Sequence, residues 1–271
     1  MARIITLLTD FGAESTYPAQ MKGVILARTP EAVLVDMSHG VPRHDIHTAA
    51  FMLASAAPAF PEGTVHLTVV DPGVGSGRRV LAAEAGGHLY VAPDNAILTL
   101  VAQRRRLFGP NVAPARVVSV ENATHFRSDV SSTFHGRDIF APVAAALADG
   151  VGIDTLGPDV ETFERFDLPT PTRDGNTIHA QVLYVDPFGN LVTNVAGDML
   201  EAYAPLQVEV RISGAMIHGL CQAYCDVPAG VLLAYVGSAG LIELAVNHQS
   251  AAVRLGADRG TAVTFDLPPA S

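Results

Sequence analysis

The sequence has no tryptophan, two cysteines, one lysine and no long apolar run, and each scarcity narrows what the chain can do. Cys221 and Cys225 form a CxxxC with no second pair, which leaves no disulfide framework and half a metal site at most. Buried thiols in a reducing compartment are the expectation. Lys22 is the sole candidate for a Schiff base or a lysine nucleophile. No stretch approaches the roughly 18 apolar residues of a membrane-crossing helix. The apolar residues 1–10 are too few for a signal peptide and lack its cleavage site, so they read as a first strand in a cytoplasmic protein. Positive charge is scarce as well. A formal net charge of −10 argues against sequence-independent binding of nucleic acid, which needs a positive surface to displace phosphate counterions.

What is present is a chain of 271 residues, 49% of them apolar, long enough for one large domain or two unequal ones. Strand-like and helix-like segments alternate in the first half. Strands are expected over 4–9, 32–37, 65–70, 80–85 and 89–92, and helices over 17–28, 44–57, 95–105 and 140–147. Such alternation predicts an α/β domain with a largely parallel sheet over 1–170. A stretch rich in proline and glycine at 168–175 suits a linker. Beyond it, over 176–271, short β-like runs at 178–185, 191–195, 206–212, 231–236, 242–246 and 262–267 predict a smaller all-β barrel or sandwich.

Chemically capable residues gather in a few segments. The run at 65–70 feeds Asp71-Pro-Gly-Val-Gly-Ser-Gly-Arg78-Arg79, and loops at the carboxyl ends of strands are where ligands collect in open α/β sheets. Its glycines match neither GxxxxGK[ST] nor a GxGxxG that opens a helix, so they are expected to turn the chain until Asp71 and Arg78 converge. In Phe134-His135-Gly136-Arg137-Asp138, His135 suits proton traffic and Gly136 permits close approach of a ligand. Arg137 and Asp138 read as an ion pair or helix cap. Asp10, in Thr9-Asp10-Phe11-Gly12, either accepts two hydrogen bonds from vicinal ribose hydroxyls or caps the following helix. His44 and His47 have a metal-ligand spacing on an expected helix, but without a third ligand they read as a solvated face. In the second domain, Phe188 and Asn190 of Asp186-Pro-Phe-Gly-Asn190 could stack on a base and read a purine edge, or form a turn around a buried ring. Tyr235-Val-Gly-Ser238-Ala-Gly-Leu-Ile-Glu243 offers a hydroxyl for a carboxylate and a carboxylate for an ammonium, or is a polar corner between strands.

With TDFG, VVDPGVG-x-x-RR, APDN, FHGRDIFAP, DPFGNLVTN and YVGSAGLIELAVN in this order, the chain resembles the adenosine-forming S-adenosyl-L-methionine hydrolases, or hydroxide adenosyltransferases, relatives of fluorinase and chlorinase. The resemblance spans nearly the whole chain and implies a homotrimer. Each active site would lie between one subunit's N-terminal domain and a neighbour's C-terminal domain. It assigns catalysis to Asp71, Arg78 and His135, ribose binding to Asp10, adenosine binding to the 186–190 segment with Asp186, Phe188 and Asn190, and the methionine carboxylate to Ser238. Phe11, Phe134 and Tyr235 are carried into the substrate site with their motifs, and Glu243 and the backbone near Val246 match more loosely. No cofactor and no metal are implied, since S-adenosyl-L-methionine is itself the substrate. A halogenase of the same fold would replace the His135-Gly136 segment with a serine-containing halide pocket, and a non-catalytic S-adenosyl-L-methionine or adenosine binder is the other alternative. Two departures stand out: Ala96, where relatives usually have glycine after APDN, and Ala239, where fluorinase has arginine.

Overall fold

Alternating apolar segments of the first half build a six-stranded sheet in the order β2-β1-β3-β5-β4-β6. Its strands are β1 (Ile4–Thr9), β2 (Val33–Ser38), β3 (Val65–Val69), β4 (Val80–Ala85), β5 (His88–Pro93) and β6 (Arg116–Ser119). The computed structural model describes residues 3–102 and 116–268, and the chain divides between Phe166 and Asp167 into two compact units. Strand β3 is buried along its whole length, as a central strand covered on both faces must be, and it pairs in parallel with β1 and β5. Strand β4 turns back through Gly86 and Gly87, both at positive φ, the two-residue hairpin that glycine pairs favour. It therefore runs antiparallel to β5 and β6, and the sheet is mixed with mostly parallel strands.

Helices α1 (Tyr17–Arg28) and α2 (Ile46–Ala56) follow β1 and β2. Helix α1 buries Met21 and Ile25, four residues apart on one face. Asp45 caps α2 by accepting from the Thr48 N–H at 3.1 Å, so His44 precedes the helix and does not share a face with His47. The helix expected over 95–105 is observed as α3 (Thr99–Ala102); positions 103–105 lie outside the described residues. A π-helical turn, Gly136–Phe140, leads into α4 (Ala141–Ala148), one turn earlier than apolar periodicity alone indicates.

In the second unit the described strands all pair antiparallel, in the order β11-β10-β14-β8-β9-β13-β12. The strands are β7 (Thr172–Asp174), β8 (Thr177–Val185), β9 (Leu191–Ala196), β10 (Glu209–Ile212), β11 (Ala215–His218), β12 (Leu232–Val236), β13 (Leu241–Val246) and β14 (Ala262–Asp266). Strand β8 pairs with β14 through its first half and with β9 through its second, which bends the sheet around an apolar core including Val182, Val210, Leu244 and Phe265. The end strands β11 and β12 approach each other, and the sheet nearly closes into a barrel. The stretch read as a linker contains β7, paired with β8. A short helix, α5 (Ala251–Leu255), is capped by Ser250 and ended by Gly256 at φ 56°. Among the described residues no helix is long and apolar enough to cross a membrane.

Candidate active site

Asp71 follows the buried end of β3, and the loop folds back so that Arg78 grips its carboxylate with two N–H groups. Arg78 Nε donates to Oδ1 at 2.7 Å and Nη2 donates to Oδ2. This bidentate pair is nearly dry: the side chains are 4% and 10% exposed. Gly75, at φ 79°, is what permits the loop to reach the 130s segment, because a Cβ there would run into the Ser132 carbonyl oxygen. His135 stands at the first position before the π-helical turn, with Nδ1 3.5 Å from Arg78 Nη2. A guanidinium only donates, so this contact assigns the lone pair to Nδ1 and the proton of the neutral ring to Nε2. Burial and the Arg78 charge push the imidazole below its ordinary value, against the opposing pull of Asp71 and Asp138. The structure thus brings together the three residues that the motifs pointed to, with a neutral imidazole beside a cation whose own charge is balanced.

Asp138 is a scaffold. Its buried carboxylate accepts from Arg127, Arg137 and the Ser131 N–H, and although burial alone would raise it, these donors hold it down at about 2. Phe11, Tyr17 and Phe134 meet edge to face, with ring centroids 4.9 to 5.9 Å apart, and a Cβ on Gly136 would lie 3.3 Å from Phe134 and 3.5 Å from Phe11. Asp10 does not cap α1, whose cap position is Thr16. Instead its Oδ2 accepts from the backbone N–H of His44, a residue at φ 65°, and its other oxygen has no partner among the described residues. Asn95, next to Ala96, ties the APDN turn to the Asp71 loop by donating to the Val70 carbonyl at 2.9 Å.

The second unit carries the other cluster. Asp186 Oδ1 accepts from the backbone N–H groups of Phe188 and Asn190 at 2.9 and 2.8 Å, which sets a tight turn and leaves Phe188 80% exposed. The alternative of a turn around a buried ring therefore fails. Asn190 Nδ2 donates to Asp186 Oδ2 and to the hydroxyl of Tyr224, both at 2.8 Å, so only its carbonyl oxygen remains for a ligand. This corrects the expectation of a paired donor and acceptor. A cavity of about 470 Å³ is lined by Phe188, Asn190, Tyr224, Val246 and neighbours up to Ser250. Tyr224 lies 2.6 Å from the Tyr235 hydroxyl, which donates to Glu243 Oε2 at 2.5 Å. Burial raises both Glu243 and Tyr235 above their ordinary values; the Tyr235 bond lowers Glu243 and the Asp186 charge raises it. Ser238 is exposed in the turn between β12 and β13, whose Gly237 backbone abuts the Glu243 carboxylate.

Tyr224 was missed in the sequence because it stands alone in an irregular stretch; its one signal is the aromatic between Cys221 and Cys225. Cys221 is half-buried, with its thiol pushed up by burial and by Asp226, whereas Cys225 is exposed against expectation. Among the described residues no group of three or more His, Cys, Asp or Glu side chains is arranged to hold a metal ion.

Residues 5–157 match the family model described as "SAM hydroxide adenosyltransferase N-terminal domain", and residues 180–264 match its C-terminal counterpart. An (R)-S-adenosyl-L-methionine hydrolase of Thermus thermophilus is 40% identical over 269 residues, covering 96% of this chain and 98% of that protein. A fluorinase of Actinoplanes sp. is more distant, 26% identical with 96% of each chain covered. Among solved structures, an uncharacterized conserved protein from Thermotoga maritima superposes with a TM-score of 0.88 at 34% identity, covering 97% of this chain and 99% of that one.

Proposed function

Because the chain belongs to the S-adenosyl-L-methionine hydroxide adenosyltransferase family, we propose that it hydrolyses S-adenosyl-L-methionine to adenosine and L-methionine. The observation that carries this reading is the Asp71, Arg78, His135 cluster. Attack at the ribose C5′ expels a neutral thioether from a sulfonium, so the leaving group needs no acid. The demanding part is to hold a poorly solvated oxygen nucleophile in line.

A water that enters the long contact between Arg78 and His135 would accept from Arg78 Nη2 and donate to His135 Nδ1. The water oxygen forms the bond to C5′ while the C5′–S bond breaks and its electron pair returns to sulfur. The released proton passes to His135 Nδ1 and then to solvent. Asp71 orients the guanidinium, since both its oxygens already accept from Arg78. Asp10 is suited to the ribose hydroxyls, Phe188 and Asn190 to adenine, and Ser238 with Glu243 to the amino-acid head group. No cofactor enters this scheme, which asks of the protein only a positioned water, a cation and a base. The related Thermus thermophilus hydrolase is named for the R sulfonium, and the same epimer is the substrate proposed for this chain.

The assembly proposed is a homotrimer in which one subunit's N-terminal unit and a neighbour's C-terminal unit complete each site. The resemblance supports this, as does Phe188, which at 80% exposed is a large apolar side chain awaiting a cover. Halide as nucleophile is disfavoured by kinship, since the related fluorinase is 26% identical and the related hydrolase 40%. The test is incubation with both sulfonium epimers in metal-free buffer, with and without fluoride or chloride, followed by chromatography. Adenosine and methionine in equal amounts, drawn from the R epimer, are expected. Halogenated adenosine would make the chain a halogenase, and tight binding without products would make it a binder.

A further inference from the structure

The hydrogen bonds of the second unit form a chain with one direction. Asn190 Nδ2 can only donate, and with one hydrogen on Asp186 the other points at the Tyr224 oxygen. Tyr224 must then turn its own hydrogen to Tyr235, 2.6 Å away, and Tyr235 donates to Glu243. The chain ends on an acceptor, so it is complete when Glu243 is ionised. A protonated Glu243 that donated to Tyr235 would put four hydrogens into three gaps, so one tyrosine hydroxyl hydrogen would lose its place in the chain. We propose that Tyr224 is a positioning residue that couples the two ends of the substrate, its hydroxyl holding the purine-facing Asn190 amide most firmly when an ammonium keeps Glu243 ionised.

This rests on the function proposed above and adds to it a reason for ordered release. Once methionine leaves, Glu243 loses the cation that favours its charge, and the hold on adenosine relaxes. The surroundings of Glu243 favour such a response. Tyr235 faces it from β12, its carboxylate fills the space a Cβ on Gly237 would need, Asp186 adds a like charge, and its partner on β9 is the uncharged Val192. Cys221 bridges to the Tyr235 position and stays a thiol. None of these supplies a cation, so the substrate's ammonium is the natural one. Burial raises the Glu243 carboxyl above its ordinary value, so a nearby ammonium matters more to its charge as pH falls.

Calorimetric titration of the full-length protein with adenosine, with and without saturating L-methionine, tests this at pH 6 and pH 8. In the wild type, methionine is expected to tighten adenosine binding about fivefold or more at pH 6 and less at pH 8. Tyr224→Phe keeps the ring and loses the hydroxyl; it should bind adenosine with no methionine effect, and its loss in kcat/KM should fall on KM. Tyr235→Phe, which breaks the same chain one link further on, should behave alike. A methionine effect of wild-type size in both variants would overturn the coupling while leaving the hydrolase reading intact. Failure of the wild type to bind adenosine at all would overturn both.

Discussion

Burial and the Arg78 guanidinium both press the His135 imidazole below its ordinary value, so the ring is neutral and able to accept a proton at pH 7. The acid limb of kcat/KM should therefore lie below pH 6.5, the unperturbed value of histidine. Removing the nearby charge with Arg78→Gln raises the histidine and should move the surviving limb to higher pH, whereas Arg78→Lys should leave it near the wild-type position. His135→Gln should lose the limb and about a hundredfold or more of the rate. Asp71→Asn should lose rate yet keep a limb. A limb unchanged in His135→Gln would assign the proton to another group. Ala96 allows a second test at this scale. It sits at φ 76°, a conformation in which a Cβ is strained. Ala96→Gly should raise stability by about 0.5 to 1 kcal/mol, read as a higher melting temperature with unchanged activity.

At the scale of elements, the π-helical turn Gly136–Phe140 is held from inside by Asp138, whose carboxylate is depressed to about 2 by Arg137, Ser131 and Arg127 against the opposing effect of burial. A depressed carboxylate stabilises the fold above its unfolded value, near 3.8, and the contribution disappears as pH falls through about 2. Asp138→Asn should cost about 2 kcal/mol at neutral pH and flatten the fall in stability between pH 4 and pH 2, measured by denaturant unfolding across that range.

Strands such as β1, β3 and β4 were legible because each is an apolar run bounded by turn residues. So was the convergence of Asp71 with Arg78, because a short glycine-rich loop leaves few other outcomes. Elements that escaped are short or depend on distant partners: β6 and β11 have four residues each, and α5, with five, rests on the Ser250 cap. The π turn depends on buried ion pairs, and the role of Tyr224 depends on two partners of its hydroxyl, Asn190 and Tyr235, far from it in sequence. Neither has a period that a sequence can display.

For the whole molecule, the question is how residues divided between two compact units serve one reaction. Asp10, Asp71, Arg78 and His135 belong to the first unit, whereas Asp186, Asn190, Ser238 and Glu243 belong to the second. In the proposed homotrimer each site takes its halves from different subunits, and this has a consequence that no single-subunit site shares. His135→Ala disables only the catalytic half, and Asn190→Ala only the purine-holding half. Each variant alone is expected to be nearly inactive. When the two are co-expressed in equal amounts, a site is intact wherever an Asn190→Ala subunit supplies the first half and a His135→Ala subunit the second. Random assembly of a cyclic trimer makes about one site in four intact. Mixed protein should thus recover about a quarter of wild-type turnover, with light scattering reporting three times the 28.4 kDa subunit mass. Sites built within one subunit would give no recovery at any mixing ratio, because every chain would carry a damaged half.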